Sequence, residues 1–292
     1  MPFSTRQRRL FGLGATALVA AAAIAGGGAW VWMRRMPAEY RTMESVVRRL
    51  ASGNTFGSQP INFSVTSGSF TAQLAEGRGL CKPESCDLFA HLNPYRTYAN
   101  GWDELIRQGY ALGDIEAWSA SSGTVVVPRP SFRVYGPRIG WLSCTVAHEI
   151  AHVQRHHIFQ QSYYASHAIK GLSQKDKGLR SMAKSREQEL EADRDAADML
   201  ARAGYKGRVC VDEMIFMYKS TGDGSETEDD ATHPGFDERL AALKKHYDRR
   251  EKELAAAKAK GKMAEFLIRQ PTSGSFHYSP GDNLLTFVPQ AQ

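Results

Sequence analysis

WLSCTVAHEIAHVQRHH, residues 141–157, is predicted to form the helix around which the rest of the chain is arranged. It carries two histidines at positions i and i+4, His148 and His152. In an α-helix such residues lie roughly 40° apart around the axis and about 6 Å apart along it, so both imidazoles can hold one metal ion. The helix is predicted because apolar side chains recur at helical spacing, at Leu142, Val146, Ile150 and Val153.

Glu149 completes a His-Glu-x-x-His pattern, residues 148–152, in which two ligands are joined by a general base for water. The alternative interpretation is a buried helix with two incidental histidines. A catalytic zinc site needs a third protein ligand and an open position for water. The presence of a third ligand elsewhere in the chain therefore decides between the two interpretations.

A second helical stretch, residues 179–203, carries a candidate for that ligand. It follows a polar connection, residues 171–178, and Gly204 is placed to end it. Within it, Glu189 and Asp193 are one turn apart on a shared face. Glu189 can supply a carboxylate oxygen to zinc, and Asp193 can hold the other ring nitrogen of a ligand histidine. An acidic run of this kind is otherwise typical of a solvated helix face.

HEIAH (148–152) followed by ELEAD (189–193) resembles metallopeptidase family 48, the HtpX and CAAX-prenyl-protease type of zinc endopeptidase. Two further pieces match. Residues 115–128 resemble the segment that the family places before its zinc helix, although Glu116 stands where the family usually has Asn. Residues 232–234, Thr-His-Pro, with a following arginine resemble its His-Pro element. The resemblance covers roughly residues 40–245 and is closest to the exported, single-anchor or periplasmic members.

This resemblance implies a zincin-like α+β fold, a mostly helical metallopeptidase domain with a small antiparallel sheet. It implies a zinc endopeptidase that hydrolyses polypeptide substrates, by family analogy misfolded or envelope proteins. One zinc ion per chain is expected, and its implied ligands are His148, His152 and Glu189. The implied catalytic residues are Glu149 as base, Asp193 beside the ligands, and His233 and Arg239 as candidates to stabilise the oxyanion. The alternative is a chaperone-like or binding protein with a silenced or structural zinc site. The presence of Glu149 argues against this alternative, because a structural site does not need a base.

His233 allows a second role. It follows a polar loop, residues 220–232, and precedes Pro234. A neutral imidazole can occupy the open position of a catalytic zinc, so His233 would keep the enzyme latent until the loop moves. Removal of His233 would then raise basal proteolysis, whereas removal of an oxyanion-stabilising residue would lower it.

The N-terminal residues 1–36 predict a membrane anchor or export signal. Residues 10–33 carry no charged side chain, lie between arginines on both sides and are long enough to span a bilayer. This predicts a protein in the inner membrane with its catalytic domain in the periplasm, or secreted there if the segment is cleaved. The remaining predicted divisions are a metallopeptidase domain, residues 37–262, and an extended C-terminal tail that packs on it, residues 263–292.

The composition limits the other classes of protein to which the chain could belong. The chain has 292 residues, 42% hydrophobic and 23% charged, as in an ordinary globular protein. The formal charge of +6 is modest, and the basic clusters of the chain are not interleaved with aromatics, so no nucleic-acid partner is expected.

Cys81 and Cys86 could close a small loop as a disulfide in an oxidising compartment or remain thiols. A strand at Thr124–Val127, bounded by Pro128, is predicted at the edge of the sheet.

Overall fold

The computed structural model describes residues 36–82, 92–99, 101–221 and 224–290. Internal contacts divide the chain into two compact units, Met1–Arg41 and Thr42–Gln292. Of the first unit only residues 36–41 are described, so the predicted membrane segment lies outside the described residues. Within the described ranges, no helix combines the length and the apolar character needed to cross a membrane.

Helices form most of the described chain. The α-helices are α1 Ala38–Ala51, α2 Ser69–Gly77, α3 Trp102–Leu112, α4 Arg129–Tyr135, α5 Ile139–Gln154, α6 His157–Tyr163, α7 Gln174–Arg202, α8 Val209–Thr221 and α9 Phe236–Ala259. The strands are β1 Ile61–Thr66, β2 Trp118–Ala120, β3 Thr124–Pro128, β4 Gly274–Ser279 and β5 Leu284–Pro289. The predicted α+β class is confirmed.

The strands form one mixed sheet in the order β2-β3-β1-β5-β4. Every neighbouring pair is antiparallel except β1 and β3, which are parallel. The prediction of a purely antiparallel sheet was therefore wrong at this pair. Parallel strands need a long crossover, and residues 67–123 provide one that contains α2 and α3. The alternation of side chains within a strand carries no information about the direction of its neighbour.

β3 lies inside the sheet, paired with β1 on one side and β2 on the other, so its predicted edge position was wrong. Pro128 is the last residue of β3, and Pro130 lies in the first turn of α4. The prolines end the strand and begin a helix instead of interrupting a ladder, and Pro at the start of a helix costs no hydrogen bond. The edge beside α5 is formed by β2.

α5 and α7 pack against each other and form the centre of the helical layer. α5 buries Leu142, Val146 and Ile150, and α7 buries Ala192 and Ala196. Small side chains on α7 let the two helix backbones approach closely, which brings polar side chains from both helices within reach of one another. This packing positions the site described below.

Two helix boundaries differ from the prediction. The stretch 141–157 is not one helix, because α5 ends at Gln154 and His156 adopts a left-handed φ of 55° before α6 begins. α7 starts earlier than residue 179, since Ser173 caps it by accepting a hydrogen bond from the Asp176 backbone at 3.1 Å. Part of the predicted polar connection is therefore the first turn of α7.

Candidate functional site

Two helices bring the three predicted metal ligands together. His148 and His152 lie on successive turns of α5, and Glu189 extends from the packed face of α7. Nε2 of His148 lies 3.0 Å from Nε2 of His152 and 3.2 Å from Oε2 of Glu189. Nε2 of His152 lies 3.4 Å from Oε1 of Glu189. All three side chains are largely buried, so their donor atoms converge on one point inside the protein.

These three donors fit a zinc ion. Ligand atoms about 2.0–2.2 Å from a tetrahedral zinc lie roughly 3.3–3.6 Å from one another, close to the observed separations. Two imidazole nitrogens and one carboxylate oxygen are also the protein donors of many catalytic zinc sites. Among the described residues, His148, His152 and Glu189 are the one group of three or more His, Cys, Asp or Glu close enough to hold a metal.

Asp193 orients His148 from the side opposite to the proposed metal. Its Oδ1 lies 2.9 Å from Nδ1 of His148, and Arg239 donates to both of its oxygens, at 2.7 and 2.9 Å. Burial lowers the pKa of His148, but the hydrogen bonds to Asp193 and Glu189 outweigh it and raise the pKa to about 10. A metal at Nε2 would displace the proton there, while the Nδ1 proton would stay on His148 and be donated to Asp193.

The corresponding partner of His152 is His157, which the sequence analysis did not single out. His157 is buried at the start of α6, and its Nδ1 lies 3.0 Å from Nδ1 of His152. Its Nε2 lies 3.4 Å from Oε2 of Glu191, and its Nδ1 can accept a hydrogen bond from His152. Burial lowers the pKa of His152 to about 3, and it also lowers the pKa of His157. Both rings are therefore neutral at pH 7. This arrangement leaves the Nε2 lone pair of His152 free for a metal.

We expect His157→Ala to weaken zinc binding by about 10–100-fold, because partners behind ligand histidines contribute this much to metal affinity. The measurement is competition with a chromophoric zinc chelator. His157→Asn, which retains a short polar group, should recover part of the affinity. His167→Ala, an exposed histidine beyond α6, is the control. An unchanged dissociation constant in His157→Ala would remove His157 from the site.

Glu149 lies beside the ligands with its carboxylate at the wall of the cleft and only 7% of its surface exposed. Burial raises the pKa of its carboxyl to about 7, while the neighbouring His148 and a hydrogen bond from Ser119 act in the opposite direction. A carboxyl with a pKa near 7 can both accept and return a proton at neutral pH. Its position and its chemistry therefore suit the predicted base.

The ligands and Glu149 open into a cleft of about 1070 Å³. One wall is the segment 115–119, which leads into and includes the start of β2. An edge strand beside a catalytic group can hold an extended peptide by adding it to the sheet. The strand predicted at the sheet edge from the sequence was β3, which is interior, and the edge strand beside the ligands is β2.

His233 reaches the ligands from the exposed side of the cleft. Its side chain is 54% exposed, and its Nε2 lies 3.6 Å from Oε1 of Glu189. Thr232 lies 2.9 Å from its Nδ1. Arg186 of α7 donates to the backbone carbonyl oxygens of three residues in the preceding loop, Glu228, Asp229 and Ala231. The two roles considered for His233 are occupation of the open zinc position and stabilisation of the oxyanion. Both require His233 to lie near the ligands, as it does.

A disulfide joins Cys144 of α5 to Cys210 of α8 at the floor of the cleft. Cys144 lies one turn before His148, so the bond fixes α8 to the helix that carries both histidine ligands. No local signal predicts a pair 66 residues apart in the sequence. The pair considered from the sequence was Cys81 with Cys86, and Cys86 lies outside the described residues.

Residues 142–247 match a family model described as Peptidase family M48. The matched region begins in α5 and ends in α9, so it contains the ligand trio, Glu149, Asp193, His233 and Arg239. Comparisons with curated proteins and with solved structures gave no significant match. M48 peptidases are zinc metallopeptidases, which agrees with the donor set described above. The match over residues 142–247 supports membership of peptidase family M48.

Proposed function

We propose that the protein is a zinc-dependent endopeptidase with His148, His152 and Glu189 as metal ligands and Glu149 as general base. The observation that carries the proposal is the convergence of three donors 3.0–3.4 Å apart beside a buried carboxyl that opens into the cleft. A structural zinc site has no use for such a carboxyl, and structural zinc is usually held by four protein ligands.

A zinc ion at this site would act as a Lewis acid and supply an activated water at neutral pH. Glu149 takes the proton of the attacking water and returns it to the leaving amine. Its position next to His148 in α5 keeps the carboxyl fixed relative to the ligands. Asp193 and His157 contact Nδ1 of the two imidazoles and so leave Nε2 of each in a position where it would bind the metal.

The substrate in this proposal is an extended polypeptide that runs along β2. Ser119, which hydrogen-bonds Glu149, belongs to β2, so a peptide paired with that edge passes directly over the base. Backbone pairing is independent of side chains and suits an enzyme that cleaves within unfolded segments. His233 lies on the exposed side of the same cleft, where it can contact the carbonyl oxygen that gains charge during the reaction.

The purified protein is expected to contain one zinc per chain and to cleave casein. Removal of the metal with a chelator should abolish cleavage, and added zinc should restore it, because no protein group present can replace the Lewis acid. Metal content is measured by elemental analysis and cleavage by release of labelled fragments. Zinc content near zero, or cleavage that persists after the metal is removed, would exclude the proposal.

A further inference from the structure

Glu213, on α8, is a buried carboxyl in the cleft that neither metal binding nor the attack of water uses. It is 5% exposed and lines the same cleft as the ligands. The hydroxyl of Tyr135 donates to its Oε1 at 2.8 Å, and Thr145 lies 3.2 Å from the same oxygen. Both hydroxyls contact one oxygen, so the carboxyl has a defined orientation.

The wall that carries Glu213 is held in place by covalent and aromatic contacts. The disulfide partner Cys210 lies one turn before Glu213 and connects α8 to α5. One turn after it, Phe216 packs on Trp141 with ring centroids 4.8 Å apart. A site whose side chains are fixed before the ligand arrives loses less conformational entropy on binding. Glu213 is therefore positioned as a preorganised group.

Its charge has no partner among the described residues. No lysine or arginine of the described chain lies within ion-pair distance of Glu213, and its Oε2 accepts no hydrogen bond from a described residue. Arg239 influences it through space, but that guanidinium is directed at both oxygens of Asp193. Burial raises the pKa of Glu213 to about 7, and a bound cation would restore its charged form.

The cleft as a whole has an excess of acids. Histidines apart, Arg239 is the only basic side chain among the described residues that line it, although the full chain carries a formal charge of +6. Asp193 balances Arg239, and Glu189 is assigned to the metal. The other carboxyl groups that line the cleft are the buried Asp114, Glu149 and Glu213 and the exposed Glu116, Glu226 and Glu228. The negative electrostatic potential of these carboxyl groups raises the local concentration of cationic ligands.

We propose that Glu213 forms the base of a substrate subsite that takes a lysine or arginine side chain near the scissile bond, so that the enzyme selects cationic polypeptide segments. Thr145, which contacts Glu213, lies one turn before Glu149, about 6 Å along α5. A residue flanking the cleaved bond therefore reaches it. The apolar walls at Met214, Met217 and Leu243 suit the alkyl stem of such a side chain. This inference rests on the proposed peptidase function.

The test is a set of quenched fluorescent peptides in which lysine or norleucine occupies each of the positions that flank the cleaved bond in turn. Norleucine has the length of lysine without its charge. At one position the wild type is expected to show a kcat/KM for lysine well above that for norleucine. Glu213→Gln, which keeps the contacts with Tyr135 and Thr145, should lower this ratio by roughly 30-fold or more, as for the loss of a buried charge partner. Glu76→Gln, an exposed acid on α2, should leave the ratio unchanged.

The outcomes separate the two proposals. Casein cleavage with no preference for lysine at any position overturns the subsite and leaves the peptidase function standing. A lysine preference that persists in Glu213→Gln also overturns it, because the exposed carboxylates would then carry the selectivity. Failure to cleave casein or any peptide overturns the peptidase function and the subsite with it. The comparison of lysine and norleucine peptides on the wild-type enzyme tests the subsite even if Glu213→Gln does not fold.

Discussion

Replacement of Glu149 by glutamine is expected to lower the rate of casein cleavage by about 10²–10⁴-fold or more, since a general base usually contributes this much. Glutamine has nearly the same shape as glutamate and can keep the hydrogen bond with Ser119, but it cannot accept the proton of the attacking water. Glu149 is not one of the three metal donors. Zinc content and the thermal unfolding temperature of the variant should therefore match those of the wild type.

Casein cleavage, zinc content and circular dichroism, measured on the same preparations, check this result. Glu187→Gln is a matched control, because Glu187 lies on the exposed part of α7 and its one ion pair among the described residues is with Lys184 at the surface. An exposed pair of this kind contributes little to stability. Activity of Glu149→Gln within tenfold of the wild type would show that another group takes the proton.

The helical character of the two segments that carry the candidate ligands was predictable from the sequence because its signals are local, although the helix ends were not. A spacing of four residues places His148 and His152 on one face in any α-helix, and the same spacing relates Glu189 to Asp193. Chemistry then restricts the interpretation, since histidine and carboxylate side chains in this pattern are typical zinc ligands. The fold class was expected from the resemblance to metallopeptidase family 48, and the helical periodicity agrees with a mostly helical domain.

Features that depend on distant parts of the chain were not predictable. The parallel pairing of β1 with β3 depends on how residues 67–123 cross over, and the disulfide depends on α8 packing against α5. The turn at His156 is also hidden, because nothing in the sequence requires a left-handed residue there. That turn carries His157 back onto His152, so the second partner of the ligands was missed although it lies close in sequence.

The charge distribution around the candidate ligands gives Glu189 and Asp193 of α7 different roles. Glu189 faces the metal position, while Asp193 faces away from it and is neutralised by Arg239. A buried carboxylate without such a partner would cost several kcal/mol. The arginine therefore permits Asp193 to remain ionised behind His148, and its two hydrogen bonds to Asp193 occupy part of its donor capacity. We therefore propose the exposed His233, and not Arg239, as the group that stabilises the oxyanion.

The double variant His148→Ala/His152→Ala is expected to lose zinc and peptidase activity together. Two of the three donors are removed, and Glu189 alone offers a single carboxylate to the ion. The helix should persist, because alanine is the best helix former and both sites lie within α5. Asp193 loses its contact with His148 but keeps both hydrogen bonds from Arg239. We therefore expect zinc content near background and no detectable casein cleavage in a folded protein.

Thermal unfolding in the presence of zinc gives a readout that does not depend on activity. A ligand that binds only the folded state stabilises it by about 2.7 kcal/mol when its free concentration is 100 times its Kd. Zinc should therefore raise the unfolding temperature of the metal-depleted wild type and leave that of the double variant unchanged. His277→Ala, an exposed histidine on β4, should respond as the wild type does. A double variant that still binds one zinc per chain would contradict the proposed ligand set, because only Glu189 of that set remains.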